Sequence, residues 1–293
     1  MISEFCTLIA KKKCRLNKLG LLLLFTLSAN LQAQSLNQQR REFAIVNVGI
    51  NGIVGGVGAL INKRKGEKPI HVFIKGLGQG CLGGTFQVVG KELTNQIRIK
   101  QNIGYAWPAR LTNAIGNSIA QNAANNINFW ERWHFNLGLF RMDYDVKEKH
   151  LQLRVFPSSV YGTIAAGRQA KWNLKKTLQT GIMIYEKDGL VKGLGGVSVG
   201  FAFVSSIALD KNLAGMDYFG LVAHEVVHIL QYENMIWINP MLTRLDRKWK
   251  KSIPLYQSLS KYMYADLNGL TILGLYLTQI NLPRSLFAQG SLA

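Results

Sequence analysis

The residues of this chain that could do chemistry lie in one short run, LVAHEVVHILQYE, at positions 221–233. Residues four apart lie on the same face of an α-helix, so His224 and His228 can direct ring nitrogens at one cation. Imidazole is a good ligand for Zn²⁺, and a catalytic zinc site leaves one coordination position open for water. Glu225 follows the first histidine and would take a proton from that water as general base. The spacing therefore predicts a zinc site that activates water.

The neighbours of these three residues predict that their helix is buried. Apolar side chains precede, separate and follow the two histidines. Burying two imidazoles and a carboxylate without a partner is costly, because each loses its hydration. A bound metal is the simplest compensation for that cost.

This pattern resembles the HExxH metallopeptidases, the zincins, over roughly residues 198–280. More narrowly, LVAHEVVHILQ is similar to small bacterial domains whose helix reads HExxHxxQ. The resemblance implies that His224 and His228 are metal ligands, that Glu225 is the base, and that the substrate is a peptide or protein. It also implies an edge strand just before the helix that binds extended substrate, and GFAFVSSIALD at 200–210 stands in that place.

The third ligand is where the chain departs from the zincin pattern. The HExxHxxGxxH extension is missing, and the acids downstream of the motif are Glu233, Asp246 and Asp266. Glu233 lies nine residues after His224, about 180° around the helix, and so faces away from the metal. Asp246 lies among basic residues, which favours a solvated ion pair. We predict Asp266 as the third ligand, in an apolar helix over 254–280; the alternative is that it hydrogen-bonds to a histidine ligand.

The rest of the chain supplies the elements that must hold this helix. Residues 34–134 carry glycines at four-residue spacing in apolar segments and predict a Gly-rich, mainly helical region, in which Pro108 begins one helix. From residue 135 the period shifts toward two, which predicts antiparallel strands and hairpins. The C-terminal part is helical, with Asp217 as N-cap of the HExxH helix. Strands followed by helices favour an α+β fold, with 135–293 as the metal-binding domain.

Residues 1–33 are predicted to be a secretory signal peptide that is removed. A basic stretch precedes LGLLLLFTLSA at 19–29, and Ala33 provides a small residue before the cleavage point. The apolar stretch is shorter than the roughly 20 residues that span a bilayer, although a retained anchor stays open. Cys81 is then the one cysteine left, so no internal disulfide can form. The chain is therefore expected in the bacterial envelope, in the periplasm, at the outer membrane or secreted.

The chain is strongly basic, with a formal net charge of +19. Its basic runs are scattered, which argues against nucleic acid and favours an anionic envelope surface or membrane, or a merely solubilising role. Two alternatives to a zinc metallopeptidase stay open. One is a metal-stabilised binding or scaffold protein of the envelope that turns over no substrate, and the other is a membrane-associated protein acting through the Gly-rich segments of 43–93. Three histidines outside the helix also remain open as ligands: His71, His134 and His150.

Overall fold

The computed structural model describes residues 36–193, 196–212, 217–235 and 238–264. Three long helices open this part of the chain: α1 (Leu36–Ile61), α2 (Pro69–Ile99) and α3 (Ala106–Ala124). Proline has no N–H to lose in the first turn of a helix, and Pro69 occupies that place in α2. The prediction that Pro108 begins the next helix was wrong by two residues, because α3 begins at Ala106 and Pro108 is the third residue of its first turn. The predicted leader at 1–33 lies outside the described residues.

Strands form two small sheets and a separate hairpin. The first sheet is antiparallel, with the order β1 (Arg132–Leu137), β2 (Phe140–Asp145) and β3 (His150–Val155). The second contains β4 (Lys171–Trp172), β5 (Met183–Lys187), β8 (Gly200–Phe203) and β9 (Ser206–Asp210), in the order β4-β5-β9-β8. The hairpin pairs β6 (Val191–Gly193) with β7 (Gly196–Ser198). Together with the helices, these strands make the chain α+β, which confirms the predicted fold class.

One strand pair differs from the prediction of antiparallel strands. β5 and β9 run parallel, whereas β4–β5 and β8–β9 are antiparallel. Parallel neighbours need a long crossover, and here the chain between β5 and β9 supplies it by passing through β6, β7 and β8. Short-range patterns of hydrophobicity do not report on such a crossover.

Further helices lie between and after the strands: α4 (Pro157–Gly167), α5 (Leu174–Thr180), α6 (Tyr218–Asn234), α7 (Ile238–Met241), α8 (Thr243–Ser252) and α9 (Pro254–Tyr262). The prediction of one continuous helix over 254–280 was wrong, because α9 ends at Tyr262. Met263 pairs with Val155, and the Tyr264 N–H donates to the Val155 carbonyl, so the chain leaves the helix to follow β3. Asp266 lies outside the described residues.

The second sheet separates two parts of the core. Alternate residues of a strand point to opposite faces, so Ile207 and Leu209 of β9 pack with α6 while Ala208 packs with α4. β8 follows the same rule, since Ala202 lies with the α6 side and Phe203 with the α4 side. The sheet therefore forms a buried platform for the helix that carries the HExxH motif.

The three long helices approach one another through glycine. A Cβ built on Gly116 of α3 would lie 2.5 Å from the Gly83 carbonyl oxygen of α2, and one built on Gly83 would lie 2.7 Å from the Gly116 oxygen. No side chain fits between two backbones at that distance. The glycines at four-residue spacing noted in the sequence make the same kind of contact between α1 and α2, because a Cβ on Gly76 would lie 2.5 Å from the Gly55 oxygen and one on Gly84 would lie 2.8 Å from the Val48 Cα.

Replacing Gly116 with alanine should destabilise the protein by about 1–3 kcal/mol. The new methyl group would push α2 and α3 apart, which outweighs the gain of about 1 kcal/mol in helix propensity. The matched control is Gly78→Ala in α2, where a Cβ meets nothing within 4 Å and a slight stabilisation is expected. Urea unfolding of both variants measures the difference, and equal midpoints would contradict the assignment.

Candidate metal centre

Helix α6 begins at the residue that the sequence predicts. Asp217 is the N-cap, and its carboxylate accepts the N–H of Phe219 at 3.0 Å. The helix then buries an aliphatic stripe that includes Val222, Val226 and Ile229 against the second sheet. Burial of that stripe determines the rotation of the helix about its axis. The two histidines consequently lie on a flank that is partly open.

His224 and His228 bring their ring nitrogens to one point. The two Nε2 atoms are 3.0 Å apart, and the rings meet nearly perpendicularly with centroids 4.6 Å apart. Burial, and then the neighbouring His228, lower the pKa of His224. Both effects favour the neutral imidazole, which is the form that binds a metal.

Gln231 orients the second of these rings. Its Oε1 lies 2.9 Å from His228 Nδ1. A carbonyl oxygen can only accept, so the proton of the imidazole lies on Nδ1 and the lone pair lies on Nε2. This is the arrangement that metal-binding histidines ordinarily show, with the second nitrogen held by an oxygen acceptor.

Glu225 follows His224 on α6, and its carboxylate lies against β8. It is buried, 4% exposed, and accepts the backbone N–H of Ala202. Burial raises the pKa of Glu225 to about 8, against a smaller lowering by the Ala202 N–H. Gly200 makes room for this carboxylate, because a Cβ there would lie 3.0 Å from Glu225 Oε1. A cation held by the histidines would lower the pKa again and return the group to its charged form.

β8 stands where the resemblance implies a substrate-binding strand. β8 is an edge strand of the second sheet and pairs antiparallel with β9, with Ala202 opposite Ile207. Its Ala202 also joins the α6 side of the core, so the strand runs directly beside the helix. An extended segment laid along the other side of β8 would pass the carboxylate of Glu225.

The other acids of the region have partners of their own. Glu233 lies 3.4 Å from Nη2 of Arg110, and its second oxygen accepts from Asn113 at 3.3 Å. Asp246 pairs with Lys250 at 2.8 Å and accepts the hydroxyl of Tyr256 at 2.6 Å. Neither acid is therefore available to the histidine pair.

The remaining histidines lie elsewhere. His134 is buried, with its ring nitrogens 3.2 Å from the Ser118 hydroxyl and 3.3 Å from the Gln121 amide. His71 in α2 and His150 in β3 are exposed. Within the described ranges, no three His, Cys, Asp or Glu side chains come together as a metal-binding group.

The donor set of α6 nevertheless fits zinc. The Nε2 atoms of two histidines meet at one point, an amide oxygen lies on Nδ1 of the second ring, and a buried carboxylate belongs to the adjacent residue, Glu225. Two nitrogens bound to one zinc at about 2.0–2.1 Å in tetrahedral geometry lie roughly 3.3 Å apart, close to the 3.0 Å seen here. The structure thus brings together two of the three predicted ligands, and the predicted third, Asp266, lies outside the described residues.

Three features of this site were not singled out from the sequence. Gln231 holds the His228 ring, the Ala202 N–H holds Glu225, and Gly200 leaves space for it. Gln231 could have been found, since a residue three after a helical ligand lies on the same face. Ala202 acts through its backbone, which carries no sequence signal.

Replacing Gln231 with leucine should lower zinc affinity by about 10- to 100-fold, because the His228 ring would lose its oxygen acceptor. The matched control is Gln231→Glu, which keeps an acceptor at the same position and should retain tight binding. Competition with a chromophoric zinc chelator gives the two affinities. If Gln231→Leu bound zinc as the native chain does, the orienting role would be wrong.

Comparison with known proteins found no relative of the chain. No protein-family model matches the chain, and no match was found among curated proteins or solved structures.

Proposed function

We propose that the chain is an exported, zinc-dependent hydrolase that acts as a metallopeptidase. The observation that carries the proposal is the convergence of two Nε2 atoms at 3.0 Å beside a buried glutamate. Without a cation, one Nε2–H can donate to the other Nε2 across this distance, whereas a shared zinc ion would bind the lone pairs of both nitrogens. His224, His228 and Asp266 would hold the metal.

The roles of the protein groups follow from their positions. Zinc, when bound, would lower the pKa of a water molecule and polarise a scissile carbonyl. Glu225 receives a proton at its carboxylate and can later return it to the leaving amine. β8 presents backbone N–H and C=O groups to an extended chain and so orients a peptide beside the glutamate. Gln231 keeps the His228 ring in the tautomer that binds metal.

Metal analysis of the purified chain tests the site. We expect about one zinc per chain in the native protein and its loss in His224→Ala and in Asp266→Ala, because each substitution removes a ligand. The matched control is Asp246→Ala, since Asp246 is paired with Lys250 and Tyr256. A native protein without zinc would contradict the hydrolase proposal. If Asp266→Ala retained zinc while His224→Ala lost it, only the assignment of Asp266 as third ligand would be wrong.

A further inference from the structure

The outer face of α1 is apolar from Ile45 to Leu60. From residue 43 to residue 61 the helix contains no charged residue. Six large aliphatic side chains of this stretch, between 38% and 63% exposed, form its outer face: Ile45, Val46, Ile50, Ile53, Val57 and Leu60. Of the described helices, the segment Arg40–Ile61 is the one that could cross a membrane by length and composition, with a mean hydropathy of 1.8 and 28% of its most apolar window buried.

The inner side of the same helices combines glycines with polar side chains that pair with one another. Asn51 donates to the Gln87 oxygen at 2.9 Å, and Gln87 in turn donates to Asn117 at 2.8 Å. Lys91, itself buried, donates to the Asn47 oxygen at 2.6 Å. A water-soluble helix bundle has the opposite polarity, with aliphatic side chains inside and amides in solvent. Polar groups paired inside and aliphatic groups outside are what a hydrocarbon environment requires.

The C-terminal end of this face is basic. The turn between α1 and α2 carries four basic residues: Lys63, Arg64, Lys65 and Lys68. Its one acid, Glu67, is engaged by the Arg64 N–H at 2.6 Å and by the Asn126 amide at 2.7 Å. Beyond the turn, Ile70 and Ile74 of α2 are again exposed, by 60% and 59%. Basic residues at the end of an apolar face are attracted to anionic lipid headgroups.

We propose that the outer face of α1, together with the basic turn, is a docking surface for an anionic lipid bilayer. The aliphatic centre of this surface complements the hydrocarbon of such a bilayer, and its basic turn complements the anionic headgroups. At about 1.5 Å per residue the uncharged stretch is about 28 Å long, close to the thickness of a bilayer core. The inference goes beyond the proposed hydrolase, because it assigns the place where the chain works.

Cosedimentation of the full chain with vesicles tests the proposal. We expect binding to phosphatidylcholine–phosphatidylglycerol vesicles and a fall of at least about tenfold in the triple variant Ile45→Gln, Ile50→Gln, Ile53→Gln. The matched control is Leu174→Gln, Leu178→Gln, Leu255→Gln, which removes exposed leucines (51%, 67% and 68%) from α5 and α9. That control should bind as the native chain does.

A second variant tests the basic turn. Lys65 and Lys68 are both exposed. Replacing both with glutamate should weaken binding to the anionic vesicles by about tenfold or more and abolish its salt dependence. Binding to vesicles of phosphatidylcholine alone should stay as it is. Equal binding of this variant and the native chain to anionic vesicles would overturn the charge argument.

Other outcomes would overturn the bilayer as occupant. The native chain could stay in the supernatant with both vesicles, or the triple variant could bind as well as its control. A native dimer that light scattering shows to become a monomer in the triple variant would assign the face to a second copy. If the triple variant fails to fold by circular dichroism, a photoreactive lipid added to the native chain decides. Label within 43–61 supports the proposal, and label confined to 1–33 refutes it.

Discussion

Replacing Glu225 with glutamine should abolish peptide hydrolysis while zinc remains bound. Glutamine has nearly the same shape but cannot take up a proton, so the loss of a general base should lower kcat by roughly 100- to 10,000-fold. The histidine pair that would hold the metal is unchanged. A quenched fluorescent peptide library reports the hydrolysis, and elemental analysis reports the zinc.

The matched control for this prediction lies two turns further along the same helix. Glu233 is also buried, 7% exposed, but it faces Arg110 and Asn113 instead of the histidines. Glu233→Gln should lower stability and leave kcat per folded molecule almost unchanged. If Glu225→Gln hydrolysed the library as fast as the native chain, the catalytic assignment would be wrong and a metal-stabilised scaffold would be left.

Replacing Arg110 with methionine should destabilise the protein by about 3–5 kcal/mol. The Arg110 side chain is 1% exposed and donates to the carbonyl oxygens of Gly181 and Asn136, both at 2.5 Å. Its third partner is the carboxylate of Glu233 on α6. Without the guanidinium, Glu233 would be a buried charge with no counter-ion. Chemical unfolding followed by fluorescence measures the change.

Two controls accompany the Arg110 variant. Arg98→Met breaks the ion pair between Arg98 and Asp217, whose side chains are 57% and 40% exposed. This variant should lower the free energy of unfolding by less than about 1 kcal/mol. The double variant with Arg110→Met and Glu233→Met should lose less stability than the two single variants lose together. The reason is that the double variant contains neither of the two buried charges, so no charge is left unpaired. Strict additivity of the two would contradict a direct interaction between Arg110 and Glu233.

The parts of this fold that depend on neighbouring residues could be predicted from the sequence. Asp217 begins α6, as expected, because a short acidic side chain can accept the first free N–H groups of a helix. The shift to a period of two after residue 135 corresponds to the strands from β1 onward. The position of Glu233 away from the histidines follows from the 100° turn per residue alone.

The parts that depend on distant residues could not be predicted. The parallel pairing of β5 with β9 is decided by the path of the chain between them. The end of α9 is decided by β3, because Val155 offers a carbonyl to Tyr264. Arg110 gave no signal in the sequence, since its partners lie 26, 71 and 123 residues away. The predicted third ligand, Asp266, likewise lies 38 residues past His228 in the sequence and outside the described residues.

The hydrogen bond between Ala202 and Glu225 also bears on how the protein avoids aggregation. A strand at the end of a sheet exposes backbone groups with which a strand from another molecule can pair. In β8 the carboxylate of Glu225 already accepts one of these N–H groups, and it presents a buried acid to any strand that approaches. In the proposed mechanism, a peptide that binds there would displace this contact and release the carboxylate for proton transfer. A second copy of the chain that paired with β8 would also have to displace the contact between Glu225 and Ala202. The Glu225 side chain would therefore both disfavour aggregation through this edge strand and limit which peptides bind to it.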